Sequence, residues 1–286
     1  MFREMKNEAE LEVILVTRGP LVIKSAESNH LNPSLPDIQC VKGRYRGHEI
    51  PIIPGSSLKG VIRYRYEQLA SIMGVSCCNI VKSRCKPESK NRSGKAVYME
   101  LCPACKLFGS TYLAGRFSVR DAYAEEGYIL GERTNVGINR VTGQAEGGAL
   151  YQAEVVEAAK FKVKMFLENY ELYQMKLLLY ILKEIDEGYI ALGSAATRGY
   201  GQMGVEQISM TFREYRNNVQ NLRGVISTLE VPLEGGCKDK DNPFCKEANW
   251  KNLKVEDALE KLAGVDVRLE LKKQKEDKKN ETDRKK

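Results

Sequence analysis

The chain predicts an α+β fold, an antiparallel sheet with two helices on one face, and three observations carry this. Leu58, Val61, Ile62, Leu69, Ile72 and Met73 recur at helical spacing, and so do Met175, Leu178, Leu179, Leu182 and Ile185. Lys160–Leu167 alternates lysine or other outward residues with apolar ones, the period of a half-buried strand. The segments read in the order β-β-α-(insertion)-β-(hairpin)-β-α-β, which folds most simply as a ferredoxin-like sandwich of two helices on one sheet.

In order along the chain, Leu11–Thr17 is rich in β-branched residues and reads as a strand ended by Gly19-Pro20. Leu21-Val22-Ile23 reads as a short second strand, and residues 24–50 as a long loop carrying Asn32-Pro33, Pro36 and Gly43. A loop of that length in a compact domain is often functional. The first helix is expected over residues 57–73, stopping near Gly74. Residues 74–107 form a polar, cysteine-bearing insertion. Phe117–Tyr123 reads as a strand. Residues 131–152 are rich in Gly, Asn, Thr and Arg without apolar periodicity, as expected of a protruding hairpin. The second helix ends near Gly188. A glycine-rich turn, Gly193–Gly204, leads into a last strand near Val205–Met210. The core is thus residues 1–213, followed by a less regular extension over 214–270 with a short helix near Val255–Ala263, and a basic tail, 271–286, read as disordered.

At 286 residues and 42% hydrophobic composition the chain can bury a sizeable core. No apolar run approaches the ~20 residues of a membrane span, and Met1–Glu10 is polar rather than a secretory leader, so a cytoplasmic protein is expected. The net charge is +7, of which Lys272–Lys286 supplies +4. The remainder is only weakly basic, so any surface for nucleic acid must be a local patch. The tail reads as solubilising, and Lys160, Lys162 and Lys164 as a solvated face.

Five of the eight cysteines, Cys77, Cys78, Cys85, Cys102 and Cys105, fall within 29 residues. A disulfide scaffold suits a short secreted chain, and this one is neither short nor evidently secreted. Cys102-x-x-Cys105 has the spacing of a zinc knuckle. Cys85 and either Cys78 or Cys77 could complete a tetrahedron, and the preferred set is Cys78, Cys85, Cys102 and Cys105. The role expected of Zn²⁺ there is structural. Cys40, Cys237 and Cys245 look unrelated.

Ile52–Arg63 (Ile-Ile-Pro-Gly-Ser-Ser-Leu-Lys-Gly-Val-Ile-Arg) closes an extended segment and opens a basic amphipathic helix. Ser56 or Ser57 is expected to cap it, and free N–H groups at such a helix start suit a phosphate. Lys59 and Arg63, four apart, share one face.

Four segments then appear in one order: Ile53–Gly60 (Ile-Pro-Gly-Ser-Ser-Leu-Lys-Gly), Cys102–Ser110 (Cys-Pro-Ala-Cys-Lys-Leu-Phe-Gly-Ser), Arg133–Gly143 (Arg-Thr-Asn-Val-Gly-Ile-Asn-Arg-Val-Thr-Gly) and Leu192–Gly201 (Leu-Gly-Ser-Ala-Ala-Thr-Arg-Gly-Tyr-Gly). Together they resemble the RAMP superfamily, and within it the repeated backbone subunit of type III CRISPR effector complexes. The resemblance covers roughly Leu11–Met210 and implies an RRM-like core whose copies stack along a guide RNA beside other effector subunits. It also implies a thumb hairpin that kinks the guide–target duplex, and an aspartate in the loop before the Pro-Gly-Ser-Ser motif that cuts target RNA with Mg²⁺ or another divalent metal. That aspartate is Asp37. The chain departs from the family pattern in the second strand, with Val22 where a histidine is common and Lys24 where a glycine is.

On this resemblance Ser56, Ser57, Lys59 and Arg63 are guide-RNA contacts. Arg133 and Arg140 meet phosphates from the thumb, with Val136 or Ile138 wedging at a base step. Arg198 and Gly199 offer an anion contact on a turn that lets backbone approach closely. His30 and His48, the only histidines, read as exposed loop residues. Two alternatives stay open: a non-catalytic guide scaffold, and a stand-alone metal-dependent endoribonuclease.

Overall fold

The computed structural model describes residues 5–25, 35–79, 84–88, 93–215 and 245–273. His30, Cys237 and all of the tail beyond residue 273 lie outside the described residues. In chain order the strands and helices are β1 (Asn7–Thr17), β2 (Lys42–Tyr45), β3 (His48–Ile53), α1 (Gly55–Ile72), α2 (Gly94–Glu100), α3 (Pro103–Phe108), β4 (Phe117–Val119) and β5 (Ala122–Tyr123). There follow β6 (Ile129–Ile138), β7 (Ala145–Ala158), β8 (Lys160–Glu168), α4 (Leu172–Asp186), β9 (Met203–Tyr215), β10 (Cys245–Leu253) and α5 (Val255–Glu260).

The main sheet has the order β10-β9-β1-β8-β4, every neighbour antiparallel. The path β1-α1-β4-β8-α4-β9 makes two split βαβ units, the ferredoxin-like arrangement, with β10 added outside β9. A second sheet, β2-β3-β5, and a ribbon, β6-β7, stand apart from it. Alternation explains the layering. Leu11, Val13 and Leu15 of β1, Phe161, Val163 and Met165 of β8, and Ile208, Met210 and Phe212 of β9 bury one face against Leu58, Ile62 and Tyr66 of α1 and Leu178 and Leu182 of α4.

The opposite face carries charge in matched pairs. Lys160 meets Glu206 at 2.7 Å, Lys162 meets Glu12 at 2.8 Å, Lys164 meets Glu10 at 2.9 Å, and Arg213 lies between Glu8 and Glu247 at 3.4 and 3.1 Å. These lysines form a solvated face, as expected, and the face is neutralised across strands. Among the described residues these pairs balance the lysine charge, and the aromatic ring on that face of β8, Phe166, is covered by Arg120 at 4.6 Å.

Several boundaries differ from the sequence reading. Leu21-Val22-Ile23 is no strand: Leu21 makes only an isolated bridge to Val156. The loop expected over 24–50 contains the hairpin β2-β3, which turns at Arg46 and Gly47, both with positive φ. Phe117–Tyr123 breaks in two: Asp121 turns its carboxylate onto α1 and β5 pairs with β3, while Arg120 and Ala124 on either side still bond to β8. Part of the cysteine-bearing segment is apolar and buried. Val97, Leu101, Ala104, Leu107 and Phe108 of α2, α3 and the turn between them join the main core. So do Trp250, Val255, Ala258 and Leu262 of the C-terminal extension, which packs on α4 and β9.

The cysteine-bearing segment is tied to the sheet by a buried polar network. Arg116 donates to the Tyr98 hydroxyl at 2.8 Å and to the Asn169 carbonyl at 2.6 Å, and Tyr98 donates to Glu171 at 2.5 Å. Glu171 also caps α4. No helix among the described residues is long and apolar enough to cross a membrane.

Candidate functional site

Two groups of polar side chains stand out, one at the foot of the ribbon and one beside α1. The foot is held by a small apolar cluster of Val22, Val155 and Tyr200, with Ile38 and Ala195 packed against it. It joins three segments far apart in sequence: the 35–40 loop, β7, and the 195–201 turn. Ile38 lies parallel to Ala153, its N–H donating to the Gln152 carbonyl at 3.0 Å and its carbonyl accepting from the Glu154 N–H at 2.8 Å. The preceding carboxylate extends that ladder. Asp37 Oδ2 accepts from the Gln152 N–H at 2.8 Å, and the side chain is exposed.

From the other side, Arg198 of a short 3₁₀ turn donates to the Tyr151 hydroxyl at 2.6 Å. The turn needs its glycines. Gly201 has φ of 75°, and a Cβ there would stand 1.9 Å from the Leu192 carbonyl oxygen. Gly199 has φ of 82° and borders open space. Arg133 of β6 reaches Glu157 with two hydrogen bonds of 3.0 and 3.1 Å and stands over the Tyr200 ring. Asp37, Arg133, Arg198 and Gly199 therefore share one neighbourhood, the ribbon's foot.

The ribbon is longer than the expected 131–152 hairpin. Its tip turns at Asn139, whose Oδ1 accepts from Val141 and Thr142 N–H at 2.8 and 3.1 Å. Arg140 is exposed at this tip. Val136 lies opposite Leu150, the register shifts before Ile138, which pairs with Ala145, and Val136, Ile138 and Leu150 are all exposed. Val141 at the turn is 95% exposed.

At α1 the cap differs from the sequence reading. Pro54 is the N-cap residue and makes no side-chain cap, so Ser56 and Ser57 sit inside the first turn, both exposed. The Gly55 N–H donates instead to Asp121 Oδ1 at 2.7 Å. A Cβ on Gly55 would meet the Val119 carbonyl oxygen at 2.3 Å, which is why glycine opens the helix. Burial, and then the charge of Arg63, push the Lys59 ammonium down from its ordinary range. Arg63 is turned away from the helix start, toward the cysteines.

The Sγ atoms of Cys78, Cys85, Cys102 and Cys105 all lie within 4.8 Å of one another. Cys78 and Cys105 are 3.4 Å apart and Cys78 and Cys102 3.8 Å. A tetrahedron with zinc–sulfur bonds of about 2.3 Å has sulfur–sulfur edges of about 3.8 Å. The Cys105 N–H points at Cys102 Sγ at 3.5 Å. Hydrogen bonds from the Cys105, Cys77 and Cys85 side chains hold Cys102 toward its thiolate form. Cys77 touches Cys102 but lies outside the group of four. The arrangement is compatible with a metal ion. Cys40 is elsewhere, its thiol donating to the Glu154 carbonyl at 3.0 Å and pushed up to about 11 by burial and then by Glu154.

Sequence reasoning missed Tyr151, Gln152 and Asp121, the residues that seat Arg198, Asp37 and Gly55. No local pattern marks them, because their partners lie 47, 115 and 66 residues away.

A split βαβ sheet with a projecting ribbon defines a class of ferredoxin-like α+β protein. The RAMP superfamily model matches residues 15–204, and the chain belongs to that family. It is a RAMP protein of the kind found in CRISPR effector complexes, an RNA-binding subunit whose partners are RNA and other components of such a complex. Comparison with curated proteins returns no match.

Proposed function

We propose that the chain is the guide-RNA-binding backbone subunit of a type III effector complex, stacked with copies of itself and other subunits, and that it cleaves target RNA at regular intervals through Asp37. The observation that carries this reading is the hydrogen bond from the Gln152 N–H to Asp37. It fixes one carboxylate at the root of the ribbon, where a kinked duplex would present its backbone, and leaves Oδ1 outside that bond. Ser56, Ser57 and Lys59 at the start of α1, and Arg133, Arg140, Arg198 and Gly199 about the ribbon, would grip sugar-phosphate without reading bases.

Cleavage by this route forms a bond from a ribose 2′-oxygen to the adjacent phosphorus and breaks the bond to the 5′-oxygen. A cyclic phosphate and a 5′-hydroxyl result, the 2′-proton leaving as the 5′-oxygen gains one. Bound Mg²⁺ would supply charge neutralisation at the phosphoryl oxygens. The chain's part is positional. Asp37 offers the metal a ligand oxygen, the ribbon displaces a base so that the 2′-oxygen and phosphorus align, and Arg198 offsets phosphate charge.

We further propose that Zn²⁺, held by Cys78, Cys85, Cys102 and Cys105, is structural. Four protein sulfurs leave no open position for substrate.

The test is Asp37→Asn and Asp37→Ala in the assembled complex. Asparagine keeps an oxygen for the Gln152 N–H but carries no charge. Cleavage is expected to fall on the order of 10²–10³-fold in both variants, with guide and target affinity unchanged. Continued cutting at wild-type spacing in both variants would overturn the assignment of cleavage to Asp37. A chain that cuts alone and never multimerises on guide would leave the stand-alone nuclease.

A further inference from the structure

The sulfur cluster has a cationic neighbour that the four ligands do not require. Arg63 leaves the middle of α1 toward Cys105, with Nη2 3.7 Å from Cys105 Sγ and Nη1 3.4 Å from the Gly109 carbonyl. Its Nε donates to Glu67 Oε1 at 2.9 Å, one turn along the helix, which fixes the plane of the fork. The Phe108 ring lies beneath it, 5.9 Å from Cζ to centroid. Only 20% of the Arg63 side chain is exposed, against a cleft of about 270 Å³ that Arg63 lines together with Cys78, Cys85, Cys105 and Ser110. The exposed Arg84 lines the same cleft.

Charge explains the arrangement. Four thiolates around a divalent cation sum to −2, and a half-buried anion is costly unless donors face it. A guanidinium is weakly hydrated and planar, so it can turn one N–H to sulfur while its others satisfy Glu67 and a carbonyl. Outer donors of this kind orient ligands and tune the affinity of a metal site.

We infer that Arg63 is a positioning residue of the metal centre: its N–H···S contact serves Cys105, and the side chain is committed to the thiolate instead of to a guide-RNA phosphate. The inference rests on the zinc reading above. It makes the helix that opens at Gly55 and the cysteine cluster one mechanical unit, joined through a single side chain.

The full chain is prepared with Arg63→Ala, Arg63→Lys and, separately, Cys102→Ser. Zinc content, zinc transfer to a competing chelator, and the sulfur-to-metal charge-transfer band of the Co²⁺-loaded protein are measured. Circular dichroism melting confirms that each variant is folded. The expected result is one bound zinc in wild type and in both Arg63 variants, held about 10–100-fold more weakly in Arg63→Ala, with a shifted cobalt band and partial recovery in Arg63→Lys. Binding of a fluorescent single-stranded RNA should keep its wild-type salt slope in Arg63→Ala. Wild-type metal retention and an unmoved cobalt band in that variant would overturn the inference while leaving the zinc site intact. A salt slope reduced by about one phosphate contact would overturn it as well, by returning Arg63 to the RNA. A wild-type chain that binds neither metal, and is unchanged by Cys102→Ser, would remove the zinc reading itself.

Discussion

Asp37 and Arg198 show how much of the candidate site depends on single long-range hydrogen bonds. Arg198 is exposed, and its orientation depends on the Tyr151 hydroxyl at 2.6 Å. Tyr151→Phe removes that acceptor and leaves the ring. Guide affinity is expected to fall by about 1 kcal/mol, roughly fivefold, with no change in melting temperature, which filter binding and calorimetry would check. The residue types at the site were legible in the sequence: an aspartate in a long loop, arginines among glycines, and a Cys-x-x-Cys pair. Their seating was not. A backbone N–H at Gln152 carries no signal in its own side chain, and Asp121 reads as an ordinary strand residue until its carboxylate is seen on Gly55. Arg63 shows the converse, since its spacing from Lys59 is consistent with a shared basic face while its contacts are with sulfur and Glu67.

Among the elements, the long periodic ones were the most legible. α1, α4 and β8 fall within a few residues of their expected bounds, because burial on one side imposes the period directly. The short elements were not. The Leu21–Ile23 segment is apolar because Leu21 is buried in the main core and Val22 at the ribbon's foot, not because it pairs as a strand. The β2-β3 hairpin hides in polar sequence, its one signal being the Arg46-Gly47 turn. β10 follows residues outside the description and is recognisable only by its pairing to β9. The ribbon offers the clearest test at this scale. Val136 and Ile138 are both exposed, so Val136→Ser with Ile138→Ser should change stability by no more than about 0.5 kcal/mol. If the ribbon wedges a duplex, the same double variant should lose regular spacing of cuts while still binding guide. Sequencing gels of the cleavage products, beside a urea melt, would read both.

For the molecule as a whole, the notable feature is how firmly the cysteine-bearing segment is built into the core. Tyr98, Arg116 and Glu171 connect it to α4 in the interior. Burial holds the Glu171 carboxyl above its ordinary range, against the opposing pull of the Tyr98 hydrogen bond and of Lys106 and Arg116. A carboxyl raised on folding binds its proton more tightly in the native state. Its contribution to stability is therefore greatest below its unfolded value and declines as pH rises through the raised native one. Glu171→Gln should flatten the stability profile across that window, so that wild type loses ground to the variant as pH climbs from about 4.5. Denaturant melts at a series of pH values would show it. A profile identical in both proteins would mean that Glu171 ionises as readily inside as outside.

The rim of the main sheet has a consequence for assembly. Among the described residues one border is β4, only three residues long, and the other is β10, whose pairing slips between Trp250 and Leu253 where Asn252 takes a positive φ. A stub on one flank and a kinked strand on the other make poor templates for lateral accretion. Copies of this chain stacked as proposed above would therefore meet through side-chain surfaces instead of merging their sheets, so that each link could be made or undone without unravelling its neighbour's hydrogen-bonded core.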